Sequence, residues 1–322
     1  MNVENNLDKK AQLKIIADFR NATGYSLSDC KSVLEKTNFD MNAAKDILSK
    51  KYAEKYKMLA DSSDIEAPEF VTKVFYNDED GSYGYCTIRT KSDVVTRSEK
   101  IRDLMIKAFE GLSENEEEGN GFNRVSSNEG FKSMYDDILG YYREPIKFEK
   151  LKKKHLTKGE VFANYPHTVY HKQEGKKAYT VSKSSAPLVL KYEGELNDEG
   201  IEQIRKLAYA ISMTIIGSNK AKVFSKEELD PKMIEEFKNA KTEEAKKLGK
   251  PEAAIEKIVS GQLNKFYAEN LIVHLPLIST ANTPWLKVGD DGDVTVEDAI
   301  KQTEKLLNCK ISVSFYKVLT DK

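Results

Sequence analysis

The sequence predicts an α+β protein of several domains, with a small all-helical N-terminal module, a core of two α+β subdomains with antiparallel sheets, and a helical hairpin. Three observations carry this expectation. Apolar residues recur at helical spacing three times within the first sixty positions. Stretches rich in β-branched and aromatic residues occupy 70–88 and 161–192 and are interrupted by turn-forming residues. Two amphipathic stretches flank a Lys-rich turn at Gly249-Lys250. A chain of 322 residues is long enough for two or three domains with their own cores. The expected divisions are 1–55, a linker at 56–66, 67–159, and 160–322 with the helical hairpin at about 228–268.

In the first module, Leu13, Ile16 and Ala17 make one apolar stripe, Cys30, Val33 and Leu34 a second, and Ala43, Ala44, Ile47 and Leu48 a third. Ser26 with Asp29 forms a capping box ahead of the second stripe, and Asp40 stands where it caps the third. The segment Thr23-Gly24-Tyr25-Ser26-Leu27 joins the first two helices. Gly24 permits a tight turn there, which is expected to present Tyr25 and Leu27 near the surface. Such a module has a small core, so apolar loop residues serve either a partner or packing. Lys50 to Asp61 reads as a charged helix or linker, broken by Ser62-Ser63-Asp64 before Pro68.

Phe70–Tyr76 and Tyr83–Ile88, separated by Asn77-Asp78-Glu79-Asp80-Gly81-Ser82, predict a β-hairpin. A helix follows on Ile101, Leu104, Met105 and Ala108, with Thr96 and Glu99 as its expected capping box. Asp93 then precedes a helix N-terminus, where the macrodipole favours a carboxylate for local reasons alone. Residues 111–130 are acidic and polar and read as a loop, and Phe131–Tyr142 as a helix. In the basic segment 147–158, Lys152-Lys153-Lys154-His155 is too short a cluster, without an aromatic platform, to argue for nucleic acid.

Val161–His171, Ala178–Ser182 and Pro187–Tyr192 predict the strands of a second sheet. His167 and His171 lie four apart, a zinc spacing on a helix, but on a strand they stand about 13 Å apart and hold no common ion. Asp198 is the expected cap of a helix on Ile201, Ile204, Ala208 and Ile211. Pro231, Met233, Ile234 and Phe237 begin the helical hairpin, and Ile255, Ile258, Val259, Gln262 and Phe266 mark its return. After the turn Asp291-Gly292-Asp293, Val296, Ala299 and Ile300 predict a last helix, and Ile311, Val313 and Phe315 alternate along a closing strand.

Composition narrows the function. Charged residues make up 32% of the chain yet almost cancel, at a formal net charge of −1, so no basic field points to nucleic acid or an anionic membrane. Cys30, Cys86 and Cys309 are far apart and odd in number, as expected of reduced thiols in a cytosol-like compartment. No apolar run reaches the roughly 18 residues of a membrane span, and Met1–Lys10 is polar rather than a signal peptide, so the expected location is cytoplasmic. A phosphate loop, a dinucleotide glycine fingerprint and a defensible Ser, His and Asp arrangement are all lacking. The expectation is a non-enzyme without cofactor or metal.

Several segments, in this order, resemble one family. Lys250-Pro251-Glu252, Ile255-Glu256-Lys257-Ile258-Val259-Ser260-Gly261-Gln262-Leu263 and Phe266-Tyr267-Ala268-Glu269-Asn270, running on to His274-Leu275-Pro276-Leu277-Ile278, are similar to a signature of bacterial-type elongation factor Ts. Thr23-Gly24, Asp29-Cys30-Lys31, Leu34 and Asn38 with Asp40 resemble that factor's N-terminal, ubiquitin-associated-like domain. Ser92-Asp93-Val94-Val95 stands where the family has Thr-Asp-Phe-Val, and Tyr170-His171 resembles part of a family hairpin. The chain departs from the pattern at Val94, which replaces Phe, at Gln262 for Arg, at Leu275 and Leu277 for Gln and Phe, and at Tyr209 for His.

The resemblance implies a ubiquitin-associated-like domain, a two-part core and a coiled-coil protrusion. It also implies a guanine nucleotide exchange factor for elongation factor Tu, GDP-bound or nucleotide-free, that binds no nucleotide itself. In that family the Asp-Phe pair enters the GTPase near its magnesium, disturbing the phosphate site so that GDP escapes. Partner contacts are thereby implied for Ser92, Asp93, Val94 and Val95, for Thr23, Gly24, Tyr25 and Leu27, and for Tyr170, His171, His274 and Pro276. The alternative is a ubiquitin-associated-like binding or scaffold protein without exchange activity.

Overall fold

A computed structural model describes residues 8–60, 66–112, 122, 125–174, 177–218, 223–289 and 292–321, the side chains of 170–180 excepted. Three helices open it: α1 (Lys9–Thr23), α2 (Leu27–Lys36) and α3 (Met41–Ala60). Their starts follow local chemistry. Asp8 accepts a hydrogen bond from the Ala11 amide, Ser26 from Asp29, and Asp40 from Asn42 and Ala43. Phe19, Cys30, Leu34 and Ala44 fill the space between the helices and are almost wholly buried.

The module's polar anchor is Asp29. Its carboxylate accepts from Lys51 Nζ, Tyr52 Oη and Ser26 Oγ, each at 2.7 Å. These bonds hold the Asp29 carboxyl well below its ordinary 3.8, Lys51 contributing most, and the bond to Asp29 together with burial pushes the Tyr52 phenol from 10.0 to about 12. A carboxyl depressed by folding stabilises the fold above its unfolded value and loses that contribution as pH falls toward its folded value. A phenol raised by folding stabilises below 10.0 and loses its contribution as pH rises through about 12. The stabilisation from the pair is therefore full between about pH 4 and 10. In thermal melts across pH, Tyr52→Phe should lower the melting temperature most within that window, with the gap to wild type closing at both ends.

Next come β1 (Glu69–Tyr76) and β2 (Ser82–Thr90), paired antiparallel from Glu69↔Thr90 to Tyr76↔Tyr83. The helices α4 (Asp93–Thr96), α5 (Glu99–Glu110) and α6 (Glu129–Tyr142) follow, then β3 (Ile146–His155), β4 (Glu160–Glu174) and β5 (Lys177–Glu193). The chain continues through α7 (Asp198–Gly217), the helical hairpin α8 (Pro231–Lys247) and α9 (Glu252–Asn270), then α10 (Val296–Leu307) and β6 (Lys310–Tyr316). Two caps differ from expectation. Ser98, not Thr96, accepts from Ile101 to start α5, because Thr96 already lies in α4 and donates to the Asp93 carbonyl. Asn197, not Asp198, accepts from Gly200 to start α7.

The α+β class holds, and the strands of both halves join in one antiparallel sheet of order β3-β2-β1-β5-β4, with β6 also paired to β5. The link is Thr72↔Ser182, a pairing across more than a hundred residues that alternation within each strand does not encode. Helices α5 and α6 cover the β1–β3 half over Leu104, Met105, Phe131 and Leu139. Helices α7 and α10 cover the other half over Leu188, Leu190, Ile204 and Ile211. In the helical hairpin, Phe237 meets Phe266 at 4.9 Å between ring centroids, and Ala245, Ile255 and Val259 close the far end.

The segment expected as a linker, 56–66, begins inside α3, which runs to Ala60, and 61–65 lie outside the described residues. Helix α3 extends because its last turns have a surface to cover: Ala53 and Tyr56 pack into the α5–α6 core. The approach is close, since a Cβ on Gly140 of α6 would stand 2.9 Å from Ser49 Oγ and 3.3 Å from Ser49 Cα of α3. Most of the acidic stretch 111–130 lies outside the described residues, although Phe122 and Val125 pack into the same core.

Candidate partner-binding site

The motif Ser92-Asp93-Val94-Val95 leaves β2 and makes the single turn of α4. Successive helical residues point about 100° apart, so one inward side chain turns its neighbour outward. Val95 is 4% exposed and packed in the core, whereas Val94 is 77% exposed. An apolar side chain thus stands in solvent on a turn whose next residue is anchored in the core.

The base of that turn is fixed from outside the motif. Glu144 accepts the Ser92 amide at 3.1 Å and the Ser92 hydroxyl at 2.8 Å, in the place of a side-chain cap. Asp93 is not a loose carboxylate. Arg97 grips it with Nε at 2.8 Å and Nη2 at 2.7 Å, the two-pronged geometry that makes guanidinium pairs specific. Lys183 of β5 approaches it to 3.7 Å while pairing with Glu69 of β1 at 2.6 Å. The motif's acid is therefore tied to the seam where the two halves of the sheet meet.

In the N-terminal module, Gly24 ends α1 in the left-handed region at φ 65, and its amide donates to the Arg20 carbonyl. Leu27 is 56% exposed, as expected. Tyr25 is not at the surface but 6% exposed, a correction with a clear cause. Its ring stacks on Tyr52 at 5.0 Å and lies under the Arg143 guanidinium at 4.3 Å. The same guanidinium donates to the carbonyls of Gly24 at 2.6 Å and Thr23 at 2.7 Å. Thr23 in turn donates its hydroxyl to Phe19, so Thr23 and Tyr25 shape the loop and leave Leu27 as its exposed apolar residue.

The remaining expected residues lie in the C-terminal half. Tyr170 and His171 sit on β4 opposite Val181 and Thr180, so Tyr170 is placed two positions along β5 from Lys183. His274 ends a short 3-10 turn, Ile272–His274, with Nδ1 at 4.0 Å from Glu297, and Pro276 bridges to Thr295 at the start of α10. That places His274 and Pro276 on a segment of their own, packed on α10. Beside Lys183 a cleft is lined by Tyr165, His167, Met213, Ile216 and Ile278.

Four residues that organise this surface escaped the sequence reading: Arg97, Arg143, Glu144 and Lys183. Arg97, at i+4 from Asp93 on what proves to be a helical turn, had a signal in its spacing. The others had none, because their partners are distant in the chain. Among the described residues no group of three His, Cys, Asp or Glu side chains is placed to hold a metal ion, and no helix is long and apolar enough to cross a membrane.

The comparisons with known proteins agree with one another. The family model described as Elongation factor TS matches residues 91–318. The chain is 28% identical over 295 residues to an elongation factor Ts of Hyphomonas neptunium, covering 89% of this chain and 86% of that protein. It is 26% identical over 266 residues to that of Aquifex aeolicus, covering 82% and 86% respectively. To that of Anaplasma phagocytophilum it is 24% identical over 318 residues, covering 96% and 98%.

Proposed function

Because the chain belongs to the elongation factor Ts family and is a translation elongation factor, we propose that it acts as a guanine nucleotide exchange factor for elongation factor Tu. The observation that carries this reading is Val94, an exposed apolar side chain on a turn held below by Val95 in the core and by Glu144 on Ser92. It has the form of a wedge on a rigid mount. Magnesium at a GTPase site is held by few protein ligands and the nucleotide's own phosphates in a strict octahedral shell, so disturbing that surrounding weakens the nucleotide.

Val buries less surface than the aromatic of the family pattern, which buries about 150–250 Å². The wedge here is correspondingly smaller, and Leu27 of the module shares the work of holding the partner. We read residues 1–55 as the partner-docking module, 67–159 as the part that carries the wedge, and 160–322 as the part that buttresses Asp93 through Lys183. The factor itself holds no nucleotide. Its effect follows from linkage: a protein that weakens nucleotide binding has its own binding weakened by the same factor, so incoming GTP expels it. The cytoplasm, where translation takes place, is the expected setting.

The test is release of a fluorescent GDP analogue from elongation factor Tu of the same source. The full chain should accelerate release and form a complex with nucleotide-free partner that excess GDP dissolves. A complex without acceleration would overturn exchange and favour the binding-scaffold reading.

A further inference from the structure

The residues Arg143 and Glu144 follow α6 directly, and their side chains reach two different parts of the surface described above. Arg143 closes α6 in the left-handed region at φ 55 and ψ 39, a conformation unfavourable for a residue with a Cβ. Residues held there persist where the surroundings over-determine them, and such positions cluster at functional sites. Here the surroundings are the carbonyls of Thr23 and Gly24 at 2.7 and 2.6 Å and the faces of Tyr25 and Tyr52 at 4.3 and 5.6 Å. The next residue, Glu144, uses both carboxylate oxygens on Ser92. Two consecutive residues therefore tie the loop that ends in Leu27 to the turn that carries Val94.

We infer that Arg143 and Glu144 are positioning residues that set the reach and orientation of the module's loop relative to Val94, so that one partner meets both at once. The inference rests on the exchange reading and adds the joint on which it depends. Two contacts on a fixed frame act with a high effective concentration, which a loose frame forfeits without losing either contact. Only a guanidinium offers the planar fork that bonds two carbonyls while stacking on a ring. The site also explains why Arg143 is not Gly: glycine would suit the backbone better and would lose both carbonyl bonds.

That contrast supplies the test. Arg143→Gly relieves the left-handed backbone, which offsets part of the lost contacts, and it removes the fork. Spin labels at Ser32→Cys in α2 and Lys107→Cys in α5, both exposed positions, report the joint in the full chain, since Cys30, Cys86 and Cys309 are buried. The distance distribution should be narrow in the parent and wider in Arg143→Gly. In release of the GDP analogue from elongation factor Tu, Arg143→Gly should raise the concentration for half-maximal effect by about 10-fold or more while the maximal rate stays within about two-fold. Glu144→Ala should instead lower the maximal rate, because the wedge loses its mount, and Glu144→Gln should restore part of it.

A purely structural role would lower rate and melting temperature together and produce no such split. An unchanged distance distribution in Arg143→Gly overturns the proposal, as does a widened distribution with an unchanged half-maximal concentration. Wild type that fails to accelerate release overturns the exchange reading itself, and the label distances then still show whether the joint exists.

Discussion

Val94→Asp should lower the acceleration of GDP release by at least about 30-fold, and Val94→Ala by less, while the melting temperature of both stays close to wild type. The stability half follows from exposure. At 77% exposed, Val94 contributes little to the core, and surface substitutions of this kind usually fall within about ±0.5 kcal/mol. The activity half follows from what the side chain would meet. A side chain that is one of the few centres of binding energy in an interface costs about 2 kcal/mol or more when it is lost. Aspartate there adds a second carboxylate beside Asp93, so the lost apolar contact is joined by repulsion and by desolvation of a new charge. Stopped-flow release of the labelled nucleotide, set beside a calorimetric melt, measures both halves. A Val94→Asp protein with wild-type exchange would remove the wedge from the account.

Phe131→Ala should be the most destabilising single substitution discussed, at about 3–5 kcal/mol. Phe131 is 1% exposed at the first turn of α6, stacked on Tyr135 and edge-on to Phe148 and Phe122. Its removal leaves a void among aromatics that are held by one another and cannot all collapse inward. At about 2–4 °C per kcal/mol for domains of some 150–250 residues, the melting temperature should fall by roughly 6–20 °C. Urea unfolding should show a lower midpoint at unchanged slope, as for a loss of stability without change in the surface exposed. Because Arg143 and Glu144 directly follow α6, the candidate site depends on this core too.

The parts of the fold legible in the sequence share one property: they are determined within a few residues. The stripes on α1, α2 and α3, the capping box of Ser26, the cap at Asp40, the hairpin over Asn77–Ser82 and the helical hairpin around Gly249 each follow from a period or a turn chemistry contained in one segment. The misplaced caps at Thr96 and Asp198 are of the same local kind. Thr96 reads as a cap because α4, a single turn, leaves too short a pattern to be seen, and Asp198 reads as one because Asn197 beside it is an equally good acceptor.

The candidate site divides along the same line. Ser92 to Val95 could be found as a motif, and the outward turn of Val94 follows once Val95 is known to be buried. That the module's Tyr25 lies under a guanidinium, that the two halves share one sheet at Thr72↔Ser182, and that Asp93 is tethered to Lys183 all depend on residues far apart in the chain.

The sequence by itself therefore determined most of the elements, α4 and β3 excepted, their order and the family, and it named Ser92 to Val95 as candidates. Only the tertiary structure decided how those residues are mounted. The reason is physical: periodicity and capping are short-range and leave a mark in the order of residues, whereas an ion pair or a close helix contact needs only complementary groups that meet after folding, and such groups carry no mark of their partner.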